Sequence, residues 1–204
     1  AGRGWAPRPH QLELLAKARA GRSTLLIAPT GGGKTLAGFL PTLVDLHEMT
    51  APTPRLISTG RAVGRSQGLH TLYISPLKAL AVDIARNLER PVREMSLDVR
   101  LETRTGDTPA SKRQRQRRYP PDILLTTPEQ LALLLASADA PYLFDSLRRV
   151  VLDELHSLVT SKRGDLLSLG LARLFALAPQ LVTVGLSATV ADPDDLARFL
   201  VPQR

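Results

Sequence analysis

Residues 23–35 read STLLIAPTGGGKT: a short apolar run, three consecutive glycines, then Lys34 and Thr35 opening a segment with helical apolar spacing. Few folds accommodate such a junction. The run STLLIA is β-rich and bounded by turn residues, so it reads as a buried strand. The glycines allow the backbone to turn with its N–H groups facing inward, forming a concave nest for anions. A helix from about Lys34 to His47 begins at the same point, and the positive end of its dipole faces the nest. Residues 28–35, A-P-T-G-G-G-K-T, have the x-x-x-x-x-G-K-T form of a phosphate-binding loop, with Ala28 where the general pattern has glycine. Thr30, Gly31, Gly32 and Gly33 line the expected cradle, Lys34 reaches toward β- and γ-phosphates, and the Thr35 hydroxyl is a ligand for Mg2+.

The rest of the chain alternates in the same way. HQLELLAKARA reads as a short helix ended by Gly21. TLYIS (71–75), DVRLETRT, DILLT, RRVVLDE and LVTVGLSAT read as strands, with DVRLETRT at one side of a sheet. KALAVDIARNLERPVREM, PASKRQRQRRY, PEQLALLLAS, GDLLSLGLARLFAL and DPDDLARFL read as helices, and Pro91 marks an expected bend or break. Residues 50–70 are rich in Pro, Gly, Ser and Thr, and read as a surface loop. Strands alternating with helices give an α/β fold, a mostly parallel central sheet covered by helices on both faces. In such sheets ligands sit at the carboxyl ends of strands. The glycine loop, the acids of VVLDELH and the SAT segment all fall at such ends.

Asp153 and Glu154 directly follow a run of three apolar residues. Adjacent carboxylates at the end of a buried strand are costly unless a cation neutralises them. Mg2+ on nucleotide phosphates is that cation. Asp153 would hold the metal through water or directly, and Glu154 would orient and deprotonate an attacking water. No NKxD run for reading guanine and no LSGGQ run is present, which leaves an ATPase of unspecified use.

Composition narrows the classes. The formal net charge is +8 and the pI about 10.6, driven by arginine, whose planar fork suits phosphate oxygens. There is no cysteine, so disulfides and cysteine-ligated metals are excluded. The four histidines lack ligand spacing. No apolar stretch reaches membrane-span length, no signal-peptide pattern opens the chain, and the expected compartment is the cytoplasm.

Seven segments then converge on one family. Gln11, APTGGGKT, SPLKAL (75–80), TGDT (105–108), TTPEQL (126–131), DELH (153–156) and SAT (187–189) occur in the order of superfamily 2 helicase motifs. The chain closely resembles the first RecA-like domain of a DExH-box helicase. GWAPRPHQ, SPLKALAVD, TGDT and ILLTTPEQL are most similar to the large helicase-related (Lhr) group, with a looser likeness to its bacterial ligase-associated branch. The resemblance spans residues 1–204 apart from the 50–70 loop. It implies ATP and Mg2+ as cofactors, with Gln11 reading the adenine edge beside Trp5 or Arg8, and Lys34, Asp153 and Glu154 as the catalytic set. His156, Ser187, Ala188 and Thr189 would link nucleotide state to nucleic-acid grip. Ser75, Pro76, Lys78, Gly106, Thr127, Pro128 and Glu129 would track the phosphodiester backbone of a single-stranded or tailed nucleic acid, DNA favoured over RNA.

Against the family pattern, Gly32 stands where Ser or Thr is frequent, a change expected only to loosen the loop. The basic run KRQRQRRYP is expected to be mainly a solvated helix face, with one or two arginines near the nucleic acid. The resemblance also implies a second RecA-like domain, absent from this chain, carrying arginines that raise phosphoryl-transfer rates by roughly 10³–10⁵. Residues 1–204 alone are therefore expected to bind ATP weakly and hydrolyse it slowly. Competing readings are a translocase that moves without unwinding, a catalytically silent ATP-binding interaction module, and a small-molecule kinase.

Overall fold

Strands alternate with helices as the apolar periodicity requires. The computed structural model describes residues 6–29, 31–50, 68–160, 162–188, 190 and 192–202. In chain order the elements are α1 (Pro9–Arg19), β1 (Thr24–Ile27), α2 (Lys34–Thr50), β2 (Thr71–Ile74), α3 (Lys78–Glu94), β3 (Leu101–Arg104), α4 (Ala110–Arg118), β4 (Ile123–Thr126), α5 (Pro128–Leu135), α6 (Ala140–Phe144), β5 (Arg149–Leu152), α7 (Leu155–Val159), α8 (Lys162–Leu177), β6 (Val182–Ser187) and α9 (Pro193–Arg198).

Among the described residues the strands form one six-stranded sheet in the order β1-β6-β5-β2-β4-β3. Every pairing is parallel. Parallel strands need crossover connections, and the helices supply them while covering both faces. Alternate residues of the inner strands therefore enter different cores. Leu72, Ile74, Leu124, Val150 and Leu152 pack with residues of α5 to α9. Tyr73, Leu125, Val151, Val184 and Leu186 pack with α1, α2 and α3.

Three expectations are corrected here. The strand at 23–28 is half-buried throughout instead of buried, because among the described residues β1 is an edge strand with a partner on one side only. Pro91 does not break its helix: α3 runs on to Glu94. A proline this close to a helix end removes a single i−4 hydrogen bond, and the amphipathic face with Leu88 and Val92 buried holds the turn. Residues 51–67 lie outside the described residues, but Leu69 and His70, read as part of the same surface loop, are buried at the entry to β2. Two short helices that the periodicity did not reveal, α6 and α7, have only five residues each.

The amino ends of the central strands carry a buried polar network. Arg149 Nη1 donates to Asp45 Oδ2 at 2.9 Å and to Thr42 Oγ1 at 3.4 Å. Thr42 and Thr71 share a hydrogen bond of 3.0 Å, and His70 Nδ1 lies 2.8 Å from Thr71 Oγ1. The cluster joins the middle of α2 to the starts of β2 and β5. Burial lowers the His70 pKa to about 4, helped by the charges of Arg149 and Arg148 and opposed by Asp45.

His70 is thus held neutral where the unfolded chain, with an ordinary imidazole near pH 6.5, takes up a proton. Stability is complete above that value and falls as pH drops toward 4. The loss is about 2 kcal/mol by pH 5. Urea unfolding at pH 7.5 and pH 5 checks this: wild type should lose that amount more than a His70→Gln variant, and equal losses would refute it.

Candidate functional site

The carboxyl ends of the strands gather the polar residues singled out in the sequence. β1 feeds the glycine loop, in which Gly31 and Gly33 have φ of 78° and 77°, values that suit glycine. Gly32 N donates to Pro29 O at 3.0 Å, closing a tight turn. A Cβ on Gly32 would stand 2.8 Å from that same carbonyl oxygen. Glycine at this position is therefore demanded by the turn, a correction to the expectation that it merely loosens the loop. Thr30 lies outside the described residues, as does Trp5.

Lys34 opens α2, is buried, and donates from Nζ to Ala28 O at 2.8 Å. Its ammonium is anchored on the loop it serves and keeps two further donors. Thr35 follows it on the first helical turn, half-buried. Gln11 is buried on α1; its Oε1 accepts from Arg8 N at 3.0 Å and its Nε2 donates to Gly33 O at 3.4 Å. The amide bridges the start of α1 to the glycine loop.

Asp153 and Glu154 leave β5, two strands from β1. Asp153 is buried, and both its oxygens are engaged: Oδ2 by the Tyr73 hydroxyl and Oδ1 by Glu154 N at 3.0 Å. Burial raises its pKa, while the Tyr73 hydroxyl, the Glu154 N–H and the Lys34 charge pull it down and Glu154 adds to the rise. The Lys34 charge is one of the influences that lower the pKa of the Asp153 carboxyl, which links the glycine loop electrostatically to the acid pair. Burial and the same carboxylate push the Tyr73 phenol well above its ordinary value, so it acts as a donor throughout the working range.

Glu154 adopts a left-handed conformation, φ 47° and ψ 46°, and caps α7. A non-glycine residue there stores roughly 1–2 kcal/mol. The turn sends its carboxylate to within 3.4 Å of His156 Nε2, while His156 Nδ1 lies 2.9 Å from Ser187 Oγ at the end of β6. Ala188 follows, half-buried, and Thr189 lies outside the described residues.

The remaining candidates sit at the ends of β2, β4 and β3. Ser75 is buried, with Oγ 3.2 Å from the Leu77 carbonyl. Lys78 donates to Asp107 at 2.7 Å, joining the start of α3 to the TGDT turn. Thr127 is buried as the N-cap of α5, with Pro128 buried behind it. A side chain at Gly106 would meet open space. The strand order therefore divides the site: Lys34, Asp153, Glu154 and Ser187 belong to β1-β6-β5, whereas Ser75, Lys78, Thr127 and Gly106 belong to β2-β4-β3.

Four side chains were missed in the sequence. Tyr73 is one polar atom in an apolar strand, and only the β2–β5 register places it beside Asp153. Arg113 belongs to the basic run on α4, yet its Nε donates to Thr108 O at 2.7 Å and its Nη2 to Gly106 O at 2.6 Å, so it braces the TGDT turn. Gln116 of the same run is buried. Arg163, just past DELH, donates to Pro76 O at 2.8 Å and pairs with Glu129 at 2.7 Å. Among the described residues no group of three His, Cys, Asp or Glu side chains could cage a metal ion, and no helix is long and apolar enough to cross a membrane.

Comparison with known proteins points the same way. The family model of DEAD/DEAH box helicases matches residues 8–196. The chain is 42% identical over 209 residues to the Lhr helicase/probable uracil glycosylase of Mycolicibacterium smegmatis, covering 97% of this chain and 13% of that protein. It is 42% identical over 190 residues to the ATP-dependent helicase Lhr-Core of Methanothermobacter thermautotrophicus, covering 89% of this chain and 21% of the relative. The solved structure of Mycobacterium smegmatis helicase Lhr bound to ssDNA and AMP-PNP superposes with a TM-score of 0.79 at 41% identity, covering 96% of this chain and 24% of that one. The chain thus spans well under a third of the length of these relatives.

Tyr73→Phe keeps the ring that stacks on Phe39 at 5.0 Å and deletes one donor to a charged acceptor. Stability at pH 7 is expected to fall by about 1.5 kcal/mol. The Asp153 carboxyl is expected to titrate at higher pH, because a hydrogen bond to the charged form is lost. Carboxyl-carbon NMR titration reads this, and an unmoved Asp153 curve would remove Tyr73 from the site.

Proposed function

This chain belongs to the DEAD/DEAH box helicase family, and we propose that residues 1–204 are the first RecA-like domain of an ATP-driven, nucleic-acid-dependent motor. The observation that carries the reading is the split of the sheet's carboxyl edge. A nucleotide half, β1-β6-β5, adjoins a half, β2-β4-β3, whose ends carry small hydroxyls, helix starts and a lysine, groups that suit backbone phosphates. The boundary between the halves is bridged by the Tyr73–Asp153 hydrogen bond.

Each residue then has a role. Gly31 and Gly33 turn backbone N–H groups toward the phosphates, Gly32 closes the turn between them through its own N–H on Pro29 O, and Thr30 is assigned to the same cradle. Lys34 spends its remaining donors on the β- and γ-phosphates. Gln11, already seated on the glycine loop through Gly33, presents its amide to the adenine edge. The donor set fits Mg2+: the Thr35 hydroxyl and the Asp153 carboxylate, directly or through water, would hold the ion, which prefers a few protein oxygens beside phosphate and water. Mg2+ would supply neutralisation of the charge on the β- and γ-phosphates. Glu154 orients the attacking water and accepts its proton. His156, bonded to Ser187, links that carboxylate to the end of β6, with Ala188 and Thr189 continuing the link.

Ser75, Pro76, Lys78, Gly106, Thr127, Pro128 and Glu129 form the nucleic-acid face, with single-stranded DNA the favoured partner and the net charge of +8 assisting its capture. A second RecA-like domain in the complete protein supplies the arginines that stabilise charge on the transferred phosphoryl. The share of the Lhr relatives that this chain spans supports that division.

The test is ATPase activity of the full-length protein with and without single-stranded DNA, at several salt concentrations. Stimulation by DNA is expected, with the half-maximal concentration rising steeply with salt. Lys34→Ala and Glu154→Gln should each lower stimulated turnover by roughly 10²-fold or more. Residues 1–204 alone should fall short of the full protein by about 10³-fold or more. Undiminished turnover in Glu154→Gln, or DNA-stimulated turnover by residues 1–204, would overturn the reading.

A further inference from the structure

We infer that Arg163 is a positioning residue: it fixes the ends of β2 and β4 relative to each other for the nucleic-acid strand, and ties both to the helix that leaves the acid pair. The inference rests on the reading above. Arg163 Nη1 donates to the carbonyl of Pro76, 87 residues earlier in the chain, at 2.8 Å. Its Nε lies 2.7 Å from Glu129 Oε1. One rigid guanidinium fork thus holds a backbone carbonyl after β2 and a carboxylate on the first turn of α5, after β4. Both acceptors belong to the face assigned to phosphates.

The position of the fork is itself fixed. Gly164 is buried against the last turn of α7, where a Cβ would stand 2.5 Å from the Val159 carbonyl oxygen. That contact is backbone and cannot move aside, so only glycine lets α8 start so close to α7. The end of α7 is closed by Thr160, whose hydroxyl donates to His156 O at 3.0 Å. Its start is capped by Glu154. A shift of α7 accompanying a change at Glu154 or His156 therefore reaches Arg163 through packed backbone.

Magnitudes separate this role from a stabilising one. Both side chains are nearly half exposed, 46% for Arg163 and 45% for Glu129. Exposed pairs of this kind add little to folding. A carboxylate on a surface meant for phosphates is repulsive unless a cation accompanies it. Arg163 meets that need and at the same time sets where Pro76 and α5 sit.

The experiment uses the full-length protein and a thymidine oligonucleotide, reading the oligonucleotide concentration for half-maximal ATPase stimulation alongside the KM for ATP. Arg163→Ala should raise the half-maximal concentration about tenfold, and far more than it moves the KM. Arg163→Lys should recover part of the loss, since an ammonium serves one acceptor well but lacks the fork. Glu129→Gln should also weaken the response, and the double variant should be no worse than Arg163→Ala alone. If Arg163 instead binds phosphate directly, Glu129→Gln tightens binding and Arg163→Ala lowers the salt slope by about 0.7; either result overturns the assignment. Stimulation unchanged in both variants overturns it too, with the functional reading intact. A wild-type protein that ignores the oligonucleotide overturns both.

Discussion

A carboxylate withdrawn from water at the end of an interior strand survives as a charge only if donors and cations close around it. Asp153 is in that situation, and much of the architecture can be understood as meeting its needs. The Tyr73 hydroxyl comes from the neighbouring strand, the Glu154 N–H from a left-handed turn, and the Lys34 charge from a loop two strands away. Each of these depends on the parallel register. A slip of one residue in β2 would turn Tyr73 to the other face and leave an apolar side chain beside the carboxylate.

The same sheet separates two demands that conflict. Its carboxyl edge concentrates buried charge, positive φ and tight glycine turns, all of which cost stability. Its amino edge holds the network of Arg149, Asp45, Thr42, Thr71 and His70, which locks α2 to β2 and β5. Those are the elements that carry Lys34 and Asp153. Rigidity at one end of α2 and β5 thus supports a strained arrangement at the other, consistent with the placement of ligand sites outside the carboxyl ends of strands.

How much of this was legible in the residues depends on whether the signal was local. The glycine loop, the acid pair and the alternation of strands and helices are local patterns, and the α/β fold with its parallel sheet followed from them. The likeness to helicase motifs added the order of the candidate sites, which the strand order resolves into two halves. Long-range pairings left no such trace. Tyr73 looks like any core aromatic until β2 is set beside β5, and Arg163 looks like a solvated arginine until α8 is seen abutting α7. Arg113 was read as part of a charged face, yet it braces the TGDT turn through the carbonyls of Thr105, Gly106 and Thr108. β1 failed as a buried strand for a related reason: edge position is a property of the whole sheet, invisible in a run of six residues.

Gly32 and Glu154 show how strain is divided across the site. At Gly32 the loop has removed every side-chain atom, because a Cβ would collide with Pro29 O, and the turn forms without distortion. At Glu154 the side chain is needed for chemistry, so the chain retains it and accepts a left-handed backbone costing roughly 1–2 kcal/mol. That strain is held by contacts on either side: the Asp153 Oδ1 bond to Glu154 N, and the first turn of α7, where Ser157 N and Leu158 N both donate to Glu154 O. A residue so constrained has few alternative rotations. If α7 moves, Glu154 moves with it, and the Gly164 contact obliges Arg163 to follow.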